Sequence, residues 1–128
     1  MKTKTCKLTG VVLDWAVAKC EGLDLFESEG WVYLFESEGW DYYQENGKRV
    51  PYRPSIKWAQ GGPIIEREKI CFNYFPDGGH EEGGEWLAEA ALEEIEIYGP
   101  TALIAAMRCY VASKLGEEID VPEELVDL

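Results

Sequence analysis

The sequence predicts a small single α+β domain, with antiparallel β-hairpins and a sheet packed against an N-terminal and a C-terminal helix. Three observations lead there. Two segments near the ends carry apolar residues at helical spacing and have suitable residues at their boundaries. The stretch between them is rich in aromatic and β-branched residues broken by Gly, Pro and Asn. A length of 128 residues suits one core, because two cores of half that size would each be near the limit of independent stability.

The first helix is expected over Gly10 to Glu21, with Thr9 as N-cap and Gly22 as the stop. Leu8, Val12, Trp15, Ala16 and Lys19 fall on one side, which places Trp15 in the core. A nine-residue unit, Leu25 to Tyr33, is then repeated at once as Leu34 to Tyr42 with eight of nine positions identical. So short a unit is no solenoid repeat. It reads as a tandem duplication tolerated in a surface hairpin, with two short strands around Ser-Glu-Gly turns. A second hairpin should follow, because Asn46-Gly47 is the preferred type I′ turn pair between Asp41–Glu45 and Lys48–Tyr52.

Pro51 and Pro54 argue for irregular chain from Arg53 to Gln60, and Gln60-Gly61-Gly62-Pro63 reads as a tight turn. Ile70 to Phe75 is expected to be a strand ended by Pro76-Asp77-Gly78-Gly79, followed by a polar loop around His80. Glu85 to Glu94 fits a helix through Ala88, Leu92 and Ile95, whereas Leu92 to Tyr98 fits a strand equally well. The last helix opens at Gly99-Pro100-Thr101, repeats Leu103, Met107, Tyr110, Val111 and Lys114 on one face, and closes at Gly116. The domain should thus span residues 1–116. Residues 117–128 form an acidic tail without a basic residue, expected to be solvated and mobile.

Composition excludes several classes. The formal net charge is -13 and the pI is near 4.4, which argues against direct nucleic-acid binding through a basic face. No apolar run approaches the roughly 20 residues that span a bilayer, and Asp14 and Lys19 interrupt the stretch after the N-terminus, against a secretory signal. Cys6, Cys20, Cys71 and Cys109 are too far apart for a zinc site and are expected to be reduced and mostly buried. No metal and no cofactor is expected. Neither a G-x-S-x-G elbow, an H-E-x-x-H helix nor a Cys–His signature is present, so no catalytic residue is assigned.

The charge is unevenly placed. Six basic residues against three acidic ones leave Glu45 to Lys69 at +3, and the rest of the chain at -16. Tyr52 and Trp58 lie in this island, where arginine offers charge for a phosphate and an aromatic ring offers a face for a base. Gly61 and Gly62 allow close backbone approach to an anion, although no Walker or dinucleotide motif surrounds them. A plain turn with surface charge explains the same residues.

Two segments, Tyr52 to Glu68 and Gly99 to Gly116, together with Leu8-Thr9-Gly10 and Leu13 to Ala18, resemble the NinX family of lambda-like bacteriophages and prophages. The duplicated hairpin departs from that pattern. The resemblance implies a phage accessory protein in a bacterial host cytoplasm, and it implies no activity. It overlaps the charged island, so the expected binding site is Tyr52, Arg53, Trp58, Gly61, Gly62 and Arg67, with Arg108 and Lys114 from the last helix as further cations.

Two functions from different classes are expected of such a chain. One is a counter-defence protein, in a homo-oligomer, that sequesters a nucleotide-derived host immune signal without turnover. The alternative is an acidic, DNA-mimic-like inhibitor of a host defence or nucleic-acid-processing protein.

Overall fold

The computed structural model describes residues 1–23, 25–28, 31–34, 44–45, 48–49, 51–76, 86–90 and 93–126. Strand β1 (Lys2–Lys4) leads through a 3-10 turn (Thr5–Lys7) into α1 (Gly10–Glu21). The expected boundaries of α1 hold. Gly22 sits at φ 71°, and the Leu23 N–H returns to the Ala18 carbonyl, satisfying the last turn as a left-handed glycine permits. Its buried side differs from the expected one. Leu13, Asp14, Ala16, Val17 and Ala18 face inward, whereas Trp15 and Val12 are only half-buried against the core and the Lys19 ammonium lies 5.6 Å from the Trp15 ring centroid.

Strands β2 (Leu25–Ser28) and β3 (Trp31–Leu34) pair antiparallel with Ser28 opposite Trp31. The hairpin is therefore built from the first nine-residue unit plus Leu34, the first residue of the second, which pairs with Leu25. The second unit from residue 35 onward lies outside the described residues. Strands β4 (Gln44–Glu45) and β5 (Lys48–Arg49) pair with Glu45 opposite Lys48, the register that a two-residue Asn46-Gly47 turn dictates.

The sequence reading fails at Trp58–Glu68 and at Trp86–Ala90, while the expected strand from Ile70 is present. A helix, α2 (Trp58–Glu68), runs through Pro63, where irregular chain and a tight turn were expected. Its first turn is already bonded, with the Gly61 N–H donating to the Lys57 carbonyl at 2.9 Å. Gln60, Gly61 and Ile64 form its buried side, so tertiary packing outweighs the local cost of a proline and two glycines. Then β6 (Ile70–Tyr74), β7 (Trp86–Ala90) and β8 (Ile95–Gly99) make an antiparallel sheet in the order β6-β7-β8. Residues 86–90 are thus a strand, not the start of a helix. The His80 loop lies outside the described residues.

Helix α3 (Ala102–Leu115) lies across this sheet, and α1 and α2 pack on it in turn. Thr101 caps it, its hydroxyl accepting from the Ile104 N–H at 3.0 Å. Buried residues surround it, from Ala102 and Leu103 to Val111 and Ala112, as expected of a helix enclosed by protein. Gly99, where β8 ends, is held there by space, since a Cβ would stand 2.6 Å from the Ala105 nitrogen.

The acidic tail is not the expected mobile appendage. Strand β9 (Glu118–Asp120) pairs with β1, placing Lys4 opposite Glu118 and Lys2 opposite Asp120. Ile119, Val121 and Leu125 are buried, with Leu125 on α4 (Glu123–Val126). The Met1 ammonium completes the ribbon by donating to Asp120 Oδ1 and to the Val121 carbonyl, both at 2.9 Å. Alternating apolar residues among the carboxylates supply this burial.

Among the cysteines, Cys109 is buried and Cys20 partly so, but Cys6 and Cys71 are exposed. All four are free thiols. Burial pushes the Cys20 and Cys109 thiols up to about 12, which leaves neither as a thiolate near neutrality.

Candidate functional site

The segment before α2 is anchored from inside. Asp14 of α1 is fully buried, and its Oδ2 accepts from Arg53 Nε at 2.5 Å while its Oδ1 accepts from the Ser55 N–H at 2.8 Å. Gln60 of α2 adds two bonds, accepting from the Arg53 N–H and donating to the Pro51 carbonyl. Burial raises the Asp14 pKa, against the lowering pull of Ser55 and Arg53. These bonds replace regular structure where Pro51 and Pro54 forbid it. They also fix the direction of the next residues, so that Ile56 and Trp58 point outward at 55% and 53% exposure.

Trp58 stands over the sheet. On the sheet face that carries α3, Ile70, Phe72 and Tyr74 of β6 lie opposite Ala90, Ala88 and Trp86 of β7. Ile70, Ala88 and Ala90 are core residues, whereas the rings at the other end emerge beyond the cover of α3. Trp58 and Phe72 have centroids 6.2 Å apart, Phe72 and Trp86 5.8 Å, and Trp86 and Tyr74 5.0 Å. Trp58, Phe72 and Trp86, with Ile56, Thr101 and Leu103, enclose an open groove of about 450 Å³ beside the first turn of α3. The described lining residues carry no titratable side chain. Its chemistry is that of flat apolar faces, suited to stacking a planar ring.

The other expected site residues are dispersed. Tyr52 is in the core at 1% exposure, and Arg53 is consumed by Asp14. Gly61 serves packing, with Pro54 and Leu103 directly against it, and Gly62 lies in the helix rather than in an anion-binding turn. Arg67 is nine residues along α2 from Trp58, about 13 Å of helix. It donates to both carboxylate oxygens of Glu21, at 3.0 and 2.6 Å, to Glu68 at 2.8 Å and to the Tyr110 hydroxyl at 3.2 Å. Lys114 pairs with Glu68 at 3.2 Å. Arg108 is spent on backbone, donating to the Leu8 carbonyl at 2.7 Å and to the Tyr98 carbonyl at 3.0 Å. Arg53 and Arg67 of the island and Arg108 and Lys114 of α3 thus bond carboxylates and carbonyls along three different seams, not one shared surface.

The Glu21–Arg67–Glu68–Lys114 cluster is structural and half exposed. The Arg67 hydrogen bond holds the Glu68 carboxyl below its usual range, so this group stabilises the fold above about pH 4.5 and ceases to do so as acid protonates it. Arg67→Gln is expected to lower stability by less than about 1 kcal/mol, with a loss that shrinks as salt is added. Melting curves at low and high ionic strength check both. A loss above about 2 kcal/mol would show that the cluster carries the α1–α2 seam.

Sequence reasoning missed Ile56, Phe72 and Trp86. The signal was partly present, since Phe72 sits in the strand that was expected. Trp86 was hidden because its segment also fitted a helix.

Among the described residues no helix is long and apolar enough to cross a membrane, and no group of three His, Cys, Asp or Glu is placed to hold a metal ion. Comparison with curated proteins found no match. A family model described as "Bacteriophage P22, NinX" matches residues 4–114. That span contains α1, α2, the β6-β7-β8 sheet and all of α3 but its last residue. The chain therefore belongs to the NinX family of bacteriophage P22.

Proposed function

We propose that this protein is a phage accessory factor that captures a nucleobase-bearing host immune signal at the aromatic groove and holds it without turnover. The observation that supports it is Trp58, more than half exposed above a groove floored by Phe72 and Trp86. A large aromatic ring left in water is costly unless something covers it. Stacking a base on such a ring contributes about 1–3 kcal/mol. The contribution expected of the island is thereby moved: Trp58 remains a ligand residue, Phe72 and Trp86 join it, and the cations do not. Because the groove is open, a second copy closing over it belongs to the same proposal.

The test is a thermal-shift panel of cyclic dinucleotides, cyclic mononucleotides and ADP-ribose derivatives, with mass analysis of each mixture. A ligand at a hundredfold over its Kd raises stability by about 2.7 kcal/mol. Trp58→Ala should weaken binding about tenfold or more while the exposed position leaves the fold intact. Intact ligand with a shift lost in the variant supports capture, and a cleaved ligand makes the protein an enzyme. No shift with any of them, or equal shifts in both proteins, overturns it in favour of the acidic inhibitor.

A further inference from the structure

A second cleft, of about 700 Å³, lies at the opposite end of the sheet from the aromatic groove. One wall is Glu94, just before β8, and Ile95, Glu96 and Ile97 at its start, four consecutive residues. A groove over the face of a strand is lined by alternate residues, whereas one along its edge is lined by consecutive ones. This cleft follows the edge. β8 is the last strand in the order β6-β7-β8, with no strand on its outer side among the described residues. The facing wall is also built of consecutive chain, Lys4 to Cys6 and Gly116 to Glu118. It is held by the β1–β9 ribbon and by the Thr5 N–H and hydroxyl, which donate to the Glu117 and Gly116 carbonyls at 2.8 and 2.6 Å. Ala112 of α3 lines the cleft between them.

We propose that this cleft takes up an extended, alternately basic and apolar segment of a partner protein, added to β8 as a fourth antiparallel or parallel strand. The register of β8 sets the alternation. Ile95 and Ile97 stand opposite Ala90 and Ala88, on the face covered by α3, and Glu96 is on the other face. An added strand of three to four residues, about 10–13 Å long, would lay apolar side chains beside the two isoleucines and basic side chains beside Glu96. The rim favours cations, because Glu94, Glu96, Glu117 and Glu118 are exposed there against Lys4 alone. A second copy of this chain is disfavoured as the occupant, since it would bring the same carboxylates face to face. Backbone bonds to an exposed sheet edge give affinity and the side-chain pattern gives selectivity, as in other strand additions. Ligand capture at the aromatic groove is not required for it.

The probe is the full-length protein with the peptide acetyl-(Lys-Val)₃-Lys-amide, followed by amide spectra of isotope-labelled protein. Shifts should concentrate at residues 4–6, 94–97 and 116–118. Glu96→Lys, exposed and therefore tolerated by the fold, should weaken binding about tenfold. The same peptide N-methylated at every residue should lose about tenfold or more, since neither of its edges can then donate to the ladder. The counterpart with Glu in place of Lys should not bind. Shifts elsewhere, no binding of the basic peptide, or equal binding of its N-methylated form overturns the proposal. The last of these holds even if Glu96→Lys misfolds.

Discussion

Arg53→Ala is expected to destabilise the protein by about 3 kcal/mol at neutral pH, a fall in Tm of roughly 10 °C for a chain of this length. The reason is Asp14. Its carboxylate is fully buried, and Arg53 Nε is the charged group bonded to it among the described residues, at 2.5 Å. Removing the guanidinium leaves a charge in the core with the Ser55 N–H as its chief remaining donor. The pH dependence separates this cause from simple loss of packing. Burial already raises the folded-state pKa of Asp14 above 3.8, and losing Arg53 raises it further. A group whose pKa is raised on folding binds its proton more tightly in the native state, so its contribution to stability falls as pH rises through the folded pKa. Acidification toward that pKa should therefore shrink the deficit of Arg53→Ala, because Asp14 escapes its charge by taking a proton. Arg53→Ala combined with Asp14→Asn should recover part of the loss at neutral pH, as the amide oxygen can still accept from Ser55. Urea melts of the four proteins at two pH values measure all of this. A deficit independent of pH, or no coupling between the two positions, would mean that the pair is not what holds the segment.

The same pair governs how binding data are to be read. Ile56 and Trp58 follow directly from the anchored segment, so Arg53→Ala disturbs the aromatic groove without any contact between Arg53 and a ligand. Loss of binding in that variant would not identify a cation site, whereas loss in Trp58→Ala would identify the groove.

What could be read from sequence follows from where each signal resides. Both long helices carry their own boundaries: Gly22 and Gly116 are local stops, and Thr101 is a local cap. The pairing of Glu45 with Lys48 is equally local, because it follows from the two-residue Asn-Gly spacing in the sequence. Helix α2 is different, since its formation depends on Pro54 and Leu103, neither of which is in it. The tail shows the same gap. Its carboxylates are conspicuous, while Ile119, Val121 and Leu125, which fix it to the core, are sparse. Charge counting found the cations of residues 45–69 but not their partners. Asp14 and Glu21, which take Arg53 and Arg67, come from α1, far away in sequence. A formal charge becomes a binding surface only where its partner is absent, and that is a tertiary property.

Gly61 and Gly62 give the sharpest test of this distinction, because adjacent glycines should respond to alanine with opposite sign. A Cβ on Gly61 would stand 2.4 Å from the Pro54 carbonyl oxygen and 2.7 Å from Leu103 Cδ1. The first neighbour is backbone and is held by the Arg53–Asp14 anchor, so α2 would have to move off the segment it packs against. Overpacking of this kind costs about 1–3 kcal/mol or more, beyond the ~1 kcal/mol that alanine gains over glycine inside a helix. Gly61→Ala should therefore lose about 2 kcal/mol. At Gly62 the nearest neighbour is Trp58 Cε3 at 4.0 Å, ordinary contact, and Gly62→Ala should gain about 0.5–1 kcal/mol. Were these residues the open, anion-cradling turn that their sequence suggests, both substitutions would be unfavourable or neutral together. Chemical denaturation of the two variants decides between the arrangements. A loss at Gly61 with a gain at Gly62 requires a helix packed edge-on against Pro54 and Leu103, whereas losses at both would return the Gly-Gly-Pro segment to a turn.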